Sequence, residues 1–243
     1  MKTEYDVSEI AWQAYQLMYE YFFKNGQFIE KKRPYLDYRY TNKDKNYEIS
    51  LSGDTDFNYT KGFAYSRLQT YQKLVDTVPK VYAKMYSNNL EIFRQLTYSI
   101  VNISLIPRTG NMQSVKQGIG NDRLDTFVWV LNLYYNDKIC LFLNHSSYAN
   151  IDTLKSYYDL FNDVYDYCDR VYHINESLVD DLIESGKKPI DSPERIFEFM
   201  KLTIRFWNQK ARYIRIQADS KECGKIIEAL DDYEEKINQL YSG

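Results

Sequence analysis

The chain has 243 residues and a net charge of −3, with 44% hydrophobic and 27% charged residues. These values predict a folded protein with a sizeable core and exclude a disordered chain, which would need fewer apolar residues and more net charge. So small a net charge does not by itself indicate a nucleic-acid or membrane partner. Because no apolar run approaches the roughly 20 residues of a membrane span, and no signal peptide is recognisable, we expect a cytoplasmic protein without a membrane partner. The widely spaced Cys140, Cys168 and Cys223 fit a reducing compartment.

The first half of the chain combines helical patterns with a small β element. Apolar and polar residues alternate with period two in 35–40 and 47–51, on either side of a polar turn, which predicts a β-hairpin over about 35–52. The β-rich segment 98–106 is predicted to be a further strand that pairs with this hairpin. The remaining patterns predict helices over 7–23 and over about 62–102, the latter with internal breaks.

The second half is predicted to be almost entirely helical. The fold class that follows is α+β, predominantly α-helical, with a small antiparallel β element consisting of the hairpin and the strand at 98–106. A single domain over 1–243 is expected, and the alternative that the last helix is an appendage stays open. The predicted elements are a helix from Asp122 to about Tyr135, a short strand in "KICLFL", and helices over 150–172, 176–185, 192–217 and 222–241.

The segment 107–123 is the strongest candidate for a ligand site. Arg108 offers a planar guanidinium suited to a phosphate or a carboxylate. Gly110 allows close approach of the backbone, and a helix that starts near Asp122 presents free N–H groups to an anion. The alternative is a structural loop in which Asp122 and Asp125 cap their own helix, since the pattern is not a known phosphate-binding motif. The candidate ligand-binding residues here are Arg108, Thr109, Gly110, Lys116, Asn121 and Arg123.

A second candidate is the predicted helix 192–217. At about 100° per residue, four cations fall within an arc of roughly 80°. We call Lys201, Arg205, Arg212 and Arg215 the basic stripe. Such a stripe can line a groove for a phosphodiester backbone. The alternatives are a solvated face, or pairing with an acidic face of the predicted helix 150–172 formed by Asp152, Asp159, Asp163 and Asp166.

Signals for catalysis and for metal binding are weak. The only acid–base candidates near the loop or in a polar loop are Asp122, Asp125 and His145. Asp54 and Asp56 could supply two oxygen ligands, but a turn explains them equally well. We therefore predict no metal site, and the sequence leaves any cofactor open.

The order of elements and the stretch "GNDRLDTFVWVLNLYY" resemble an uncharacterised bacterial family of unknown function. Its members carry a strand ending in Thr-Gly, a Gly-containing loop and a DR-x-D helix start. The resemblance covers roughly residues 20–215 and implies no established activity. Family members often have a second glycine in the loop, where this chain has Asn111, Met112 and Gln113. The matching residues are Thr109, Gly110, Asn121, Asp122, Arg123 and Asp125.

Two functional hypotheses follow for a cytosolic bacterial or phage protein. The first is binding of a phosphate-bearing ligand, a nucleotide or RNA, through the loop and the basic stripe. The second is a non-catalytic protein-interaction module, for instance a regulator or inhibitor in host–phage conflict, whose surface would use the 25 tyrosines. Tyrosines also suit ordinary boundary packing. Arg123 and Asp125 are expected to form either a buried pair that fixes the loop or a substrate clamp.

Overall fold

A computed structural model describes residues 26–32, 35–42, 47–56, 96, 99–107, 123–137, 151–189, 193–218 and 221–241. The predicted helix 7–23, nearly all of the helical pattern before residue 98, and the short strand predicted in "KICLFL" lie outside these residues. In the part that is described, no helix is both long and apolar enough to cross a membrane.

The β element is a four-stranded antiparallel sheet in the order β1-β2-β3-β4. The predicted hairpin is confirmed, because β2 and β3 pair from Asn42↔Tyr47 to Asp37↔Ser52. The predicted strand at 98–106 is confirmed in its second half, which pairs with β3; its first half is a 3-10 turn, Ile100–Asn102. The sequence did not predict β1. The strands are β1 Gly26–Lys32, β2 Tyr35–Asn42, β3 Tyr47–Thr55 and β4 Ile103–Pro107.

The described part of the chain is predominantly helical, as predicted, and four of the five predicted helices that fall on it begin and end within two residues of their expected bounds. The single helix predicted over 150–172 is wrong. It is interrupted after Tyr158 because Asp163 starts a new helix, its side chain accepting a hydrogen bond from the Asp166 amide at 2.8 Å. The helices are α1 Leu124–Asp137, α2 Ile151–Tyr158, α3 Val164–Tyr167, which continues into a π-helical turn at Cys168–Tyr172, α4 Glu176–Gly186, α5 Pro193–Ala218 and α6 Lys221–Tyr241.

The core is rich in aromatic side chains, and α5 runs through it. Tyr167 is fully buried and makes an edge-to-face contact with Tyr172 at 5.4 Å between ring centroids. Tyr172 in turn meets Phe206 of α5 at 5.2 Å. Packing therefore accounts for these tyrosines. The other aromatic residues of the core that are completely or almost completely buried are Tyr157, Tyr158, Phe161, Phe199 and Trp207.

Helix α5 packs against both α4 and α6. Helix α6 contributes buried apolar residues to this contact, among them Cys223, Ile226 and Leu230. Helix α4 also packs closely on α1, where a Cβ on Gly186 would lie 2.3 Å from the Asp125 carbonyl oxygen. The two backbones therefore touch at this crossing, which places the start of α1 beside the end of α4.

Candidate functional site

A groove with many charged side chains is lined by residues of α4, α5 and α6 and of the turn that follows α4. We call it the three-helix groove; its volume is about 580 Å³. Four side chains of its lining are cationic and four are anionic, so the groove is close to neutral overall. Its lining residues are Asp181, Glu184, Ser185, Lys188, Arg195, Glu198, Lys201, Leu202, Arg205 and Glu234.

The groove divides the basic stripe. Lys201 and Arg205 line it, and Arg205 Nη1 lies 2.7 Å from Asp181 Oδ2 of α4. Arg212 instead lies beside α6, where its Nη2 is 2.8 Å from both carboxylate oxygens of Asp231. Arg215 is exposed. The stripe is thus not one continuous basic track in the folded chain.

The carboxylates that pair with the stripe are not those expected from the sequence. The partners of Arg205 and Arg212 come from α4 and α6. Pairing with an acidic face at 150–172, one of the alternatives considered from the sequence, is therefore wrong for these two arginines. The interruption after Tyr158 removes that face as a continuous stripe. One of its members, Asp159, instead accepts a hydrogen bond from the Tyr134 hydroxyl at 2.6 Å.

Arg123 and Asp125 form a pair at the start of α1, with the Asp125 side chain fully buried and that of Arg123 14% exposed. Arg123 Nε lies 3.0 Å from Asp125 Oδ1, and Arg123 Nη2 lies 2.7 Å from Oδ2. The Thr126 amide donates to Oδ1 at 2.8 Å, and the Ser185 hydroxyl donates to Oδ2 at 2.7 Å. Both carboxylate oxygens are therefore occupied by donors, which corresponds to the buried pair among the two alternatives considered from the sequence.

This pair is connected to the three-helix groove. Arg195 Nη2 donates to the Ser185 carbonyl at 3.1 Å and to the Ser185 hydroxyl at 3.3 Å, while its Nη1 pairs with Glu198. Ser185, Arg195 and Glu198 all line the groove. Arg123, Asp125, Ser185 and Arg195 form what we call the Asp125 network, which runs from the start of α1 to the wall of the groove.

Several predicted site residues lie outside the residues that the structure describes. They are Arg108, Thr109, Gly110, Lys116, Asn121, Asp122 and His145. The predicted ligand site in the loop therefore stays a prediction, and only Arg123 at its end is placed, with its Nη2 3.4 Å from the Lys188 carbonyl oxygen. Since Lys188 lines the groove, the end of the predicted loop lies near the groove.

A buried lysine on α5 was not predicted. Lys210 Nζ donates to Asp56 Oδ2 at 2.9 Å, to the Ile103 carbonyl at 2.9 Å and to the Ser104 hydroxyl at 2.7 Å. Its one sequence signal is its position on the apolar face of the helix, four residues after Phe206 and four before Ile214. This cluster fastens α5 to the end of β3 and to β4.

The same cluster gives Asp56 a role other than the two weighed from the sequence. The Asp56 carboxylate accepts from both Lys210 and Ser104. Among the residues that the structure places, no group of three or more His, Cys, Asp or Glu side chains could hold a metal ion. Burial raises the pKa of the neighbouring Tyr172 hydroxyl well above its usual value, and the charge of Asp56 raises it further.

Comparison of the chain with protein-family models, with curated proteins and with solved structures gave no match. This outcome is consistent with the resemblance to an uncharacterised family. No relative therefore supplies an activity, and a function can be inferred only from the residues of this chain.

Proposed function

We propose that the three-helix groove binds a small phosphate-bearing ligand such as a nucleotide. The observation that carries the proposal is the convergence of four cations, Lys188, Arg195, Lys201 and Arg205, on one concave volume of about 580 Å³. That volume lies within the range of about 300–1,000 Å³ that is typical of small-molecule sites. Two of the four, Lys201 and Arg205, belong to the basic stripe that the sequence indicated.

Two of these cations have carboxylate partners that a ligand can replace. Asp181, which pairs with Arg205, is 48% exposed, and Glu198, which pairs with Arg195, is 58% exposed. The Arg205–Asp181 pair, whose side chains are 33% and 48% exposed, is of the partly exposed kind that contributes only about 0–1 kcal/mol. A phosphate can accept two parallel hydrogen bonds from a guanidinium. Exchange of a carboxylate for a phosphate is therefore favourable for a ligand that fits the groove.

A small ligand fits these charges better than RNA does. Binding of a long polyanion depends on a continuous series of cations along the phosphate backbone. Here Arg212 is held by Asp231 on the α6 side, and four carboxylates share the groove with the cations. Neutral overall charge gives little long-range attraction, so affinity would come from the fit of one or a few phosphate groups.

Among the side chains that the structure describes, the alternative of a protein-interaction module with a Tyr-rich surface has less support. Tyr134, Tyr157, Tyr158, Tyr167 and Tyr172 are buried. These rings are consequently not available to a partner surface. Among the residues whose side chains are described, only Ile216 is a large hydrophobic side chain with high exposure, and a single exposed apolar residue is ordinary for a folded protein.

A thermal-shift experiment tests the proposal. ATP, GTP and inorganic pyrophosphate are added in a phosphate-free buffer at about 50 mM and about 200 mM salt, because phosphate contacts weaken as salt rises. A ligand at about 100 times its Kd stabilises the protein by about 2.7 kcal/mol. For a chain of this size, that corresponds to a rise in Tm of about 5–10 °C. We expect this rise at low salt and a smaller one at high salt.

Matched variants locate the binding. Arg205→Gln removes a cation that lines the groove, and Arg212→Gln removes the same kind of charge from the same helix outside the groove lining. We expect Arg205→Gln to lose most of the ligand-induced rise and Arg212→Gln to keep it. The proposal fails if no phosphate compound raises Tm, or if the two variants lose the response equally.

A further inference from the structure

We propose that Asp125 and Ser185 are positioning residues for the three-helix groove, and that they couple its occupancy to the Arg123–Asp125 pair at the start of α1. This inference rests on the proposed function and adds to it a link between the groove and a region outside it. Neither residue needs to touch the ligand. Both act through the guanidinium of Arg195.

Hydrogen-bond polarity fixes the direction of the link. An ionised carboxylate only accepts hydrogen bonds, so the Ser185 proton must point to Asp125 Oδ2, 2.7 Å away. The lone pairs of the Ser185 hydroxyl are then left to accept from Arg195 Nη2 at 3.3 Å. Without Asp125, the hydroxyl proton would lose its acceptor, and the lone pairs would no longer be held in a fixed direction toward the guanidinium.

The Arg195 guanidinium is thereby held by protein acceptors at Nη2 and Nε, while its carboxylate partner at Nη1 can be exchanged for a ligand. Its Nη2 is bound to Ser185, and its Nε lies 3.4 Å from the Pro189 carbonyl oxygen. Its Nη1 pairs with Glu198, which lines the groove and is largely exposed. A ligand phosphate that replaces Glu198 therefore meets a guanidinium whose orientation is already set, which lowers the entropic cost of binding.

Close packing makes the link mechanical as well as polar. Gly186 follows Ser185 directly, and a Cβ at Gly186 would lie 2.3 Å from the Asp125 carbonyl oxygen and 2.8 Å from Trp129 Cβ. The backbone that carries Ser185 is in contact with the backbone that carries Asp125. The two backbone segments have no empty space between them. A displacement of the end of α4 is therefore transmitted to the start of α1.

The coupling must work in both directions. If the Arg123–Asp125 pair raises the affinity of the groove, then occupancy of the groove stabilises that pair by the same factor. Arg123 stands at the end of the sequence segment 107–123. Ligand binding in the groove is therefore expected to stabilise the Arg123–Asp125 pair at the start of α1.

Isothermal titration calorimetry tests the inference by measuring the Kd of inorganic pyrophosphate. The proteins compared are the wild type, Ser185→Ala, Asp125→Asn and the double variant. We expect each single change to weaken Kd about fivefold, and the double change to weaken it little more than either alone. That pattern is a coupling of about 1 kcal/mol, since a tenfold change in Kd is about 1.4 kcal/mol. The salt dependence of binding should stay unchanged in Ser185→Ala, because Arg195 remains charged, and should decrease in Arg195→Gln.

Thr203→Val is the matched control. Thr203 also carries a buried hydroxyl, but it donates to the Phe199 carbonyl at 2.9 Å and does not line the groove. We expect this variant to keep the wild-type Kd. The inference is overturned if Ser185→Ala binds pyrophosphate as tightly as Thr203→Val, or if the fold-changes of the two single variants multiply in the double variant. Should Asp125→Asn fail to fold, the comparison of Ser185→Ala with Thr203→Val and the salt dependence decide the question.

A measurement without ligand separates this inference from the proposed function. If the wild type binds no phosphate compound, the proposed function has failed, and the network is judged from the urea midpoints of Arg123→Gln, Arg195→Gln and the double variant. The two arginines are linked through Asp125 and Ser185 and also through the adjacent carbonyls of Lys188 and Pro189, so the same cycle is measured in Ser185→Ala, which removes the first link and leaves the second. Shifts that fail to add in the wild type but add in Ser185→Ala support the network; shifts that add in the wild type, or that fail to add equally in both backgrounds, overturn it.

Discussion

Replacing Lys210 by methionine tests how α5 is fastened to the sheet. The Lys210 side chain is fully buried and that of Asp56 is 2% exposed. The substitution keeps the length and apolar stem of the side chain but removes three donated hydrogen bonds and leaves the Asp56 charge in the interior. Removing one partner of a buried ion pair costs about 3–5 kcal/mol. That is a large share of the roughly 5–15 kcal/mol by which folded domains are stable.

Urea denaturation followed by circular dichroism measures this loss. With a slope near 2 kcal/mol per molar of urea, the midpoint should fall by about 1.5–2.5 M. Lys225→Met is the control, because Lys225 is exposed on α6, and surface changes of this kind stay within about 0.5 kcal/mol. The double variant Asp56→Asn/Lys210→Met should lose at least about 1 kcal/mol less than the sum of its two single changes, since it removes both charges together.

Three results would refute this reasoning. Lys210→Met could lose no more stability than Lys225→Met. That would mean that the ammonium group of Lys210 contributes no stability beyond the packing of its apolar stem. The two single changes could add in the double variant, which would mean that Lys210 and Asp56 do not act on each other. Finally, Asp56→Asn alone could leave the stability unchanged, which contradicts a buried carboxylate that neutralises an ammonium group.

The remaining predictions concern packing and pH. Gly186→Ala should lower the free energy of unfolding by about 1–3 kcal/mol through overpacking. Gly224→Ala is the control, because its Cβ would meet nothing closer than Arg215 Nε at 3.9 Å, and it should leave the stability unchanged or raise it by up to about 1 kcal/mol. Equal urea midpoints for the two variants would contradict the close α1–α4 contact. Burial raises the pKa of the Cys168 thiol well above its usual 9.0. Cys168 should therefore resist iodoacetamide in the folded protein, as judged by mass spectrometry of the peptide that contains it, under conditions in which the urea-unfolded chain is labelled there. Because the unfolded chain releases this proton at a lower pH than the folded one, the contribution of Cys168 to stability is complete below pH 9.0 and decreases above it; the urea midpoint should therefore be lower at about pH 10 than at about pH 8.

Local patterns in the sequence predicted elements better than they predicted partners. Helical periodicity located α1, α4, α5 and α6, and alternation located the hairpin, because each pattern depends on near neighbours in the chain. The helix predicted over 150–172 was wrong because an aspartate inside a helical pattern, Asp163, caps a new start. Strand β1 was missed because it is held by pairing with β2, and its own sequence alternates weakly.

The site depended on contacts between distant parts of the chain. Ser185 reaches Asp125 across 60 residues, and Lys210 reaches Asp56 across 154. The pairing of Arg123 with Asp125 could be expected from their residue types, since they are two positions apart. No local pattern in the sequence predicts that the Ser185 hydroxyl lies against Asp125. The arrangement of the three-helix groove likewise depends on how α4 and α6 lie against α5, which no single helix encodes.

Helix α5 carries two kinds of cation, and their difference explains why the groove is the better candidate for a function. At about 100° per residue, Lys201 and Lys210 lie on opposite sides of the helix. Lys210 donates hydrogen bonds to Asp56, Ile103 and Ser104 and has no exposed surface, so exchanging any of these acceptors for a ligand would require opening the core. Arg205, which lies on the groove side with Lys201, is paired with a half-exposed carboxylate, and such a pair is weak enough to be exchanged. A buried cation of this kind therefore fixes the helix in place, and the partly exposed Lys201 and Arg205 are the ones that we propose to recognise an anion.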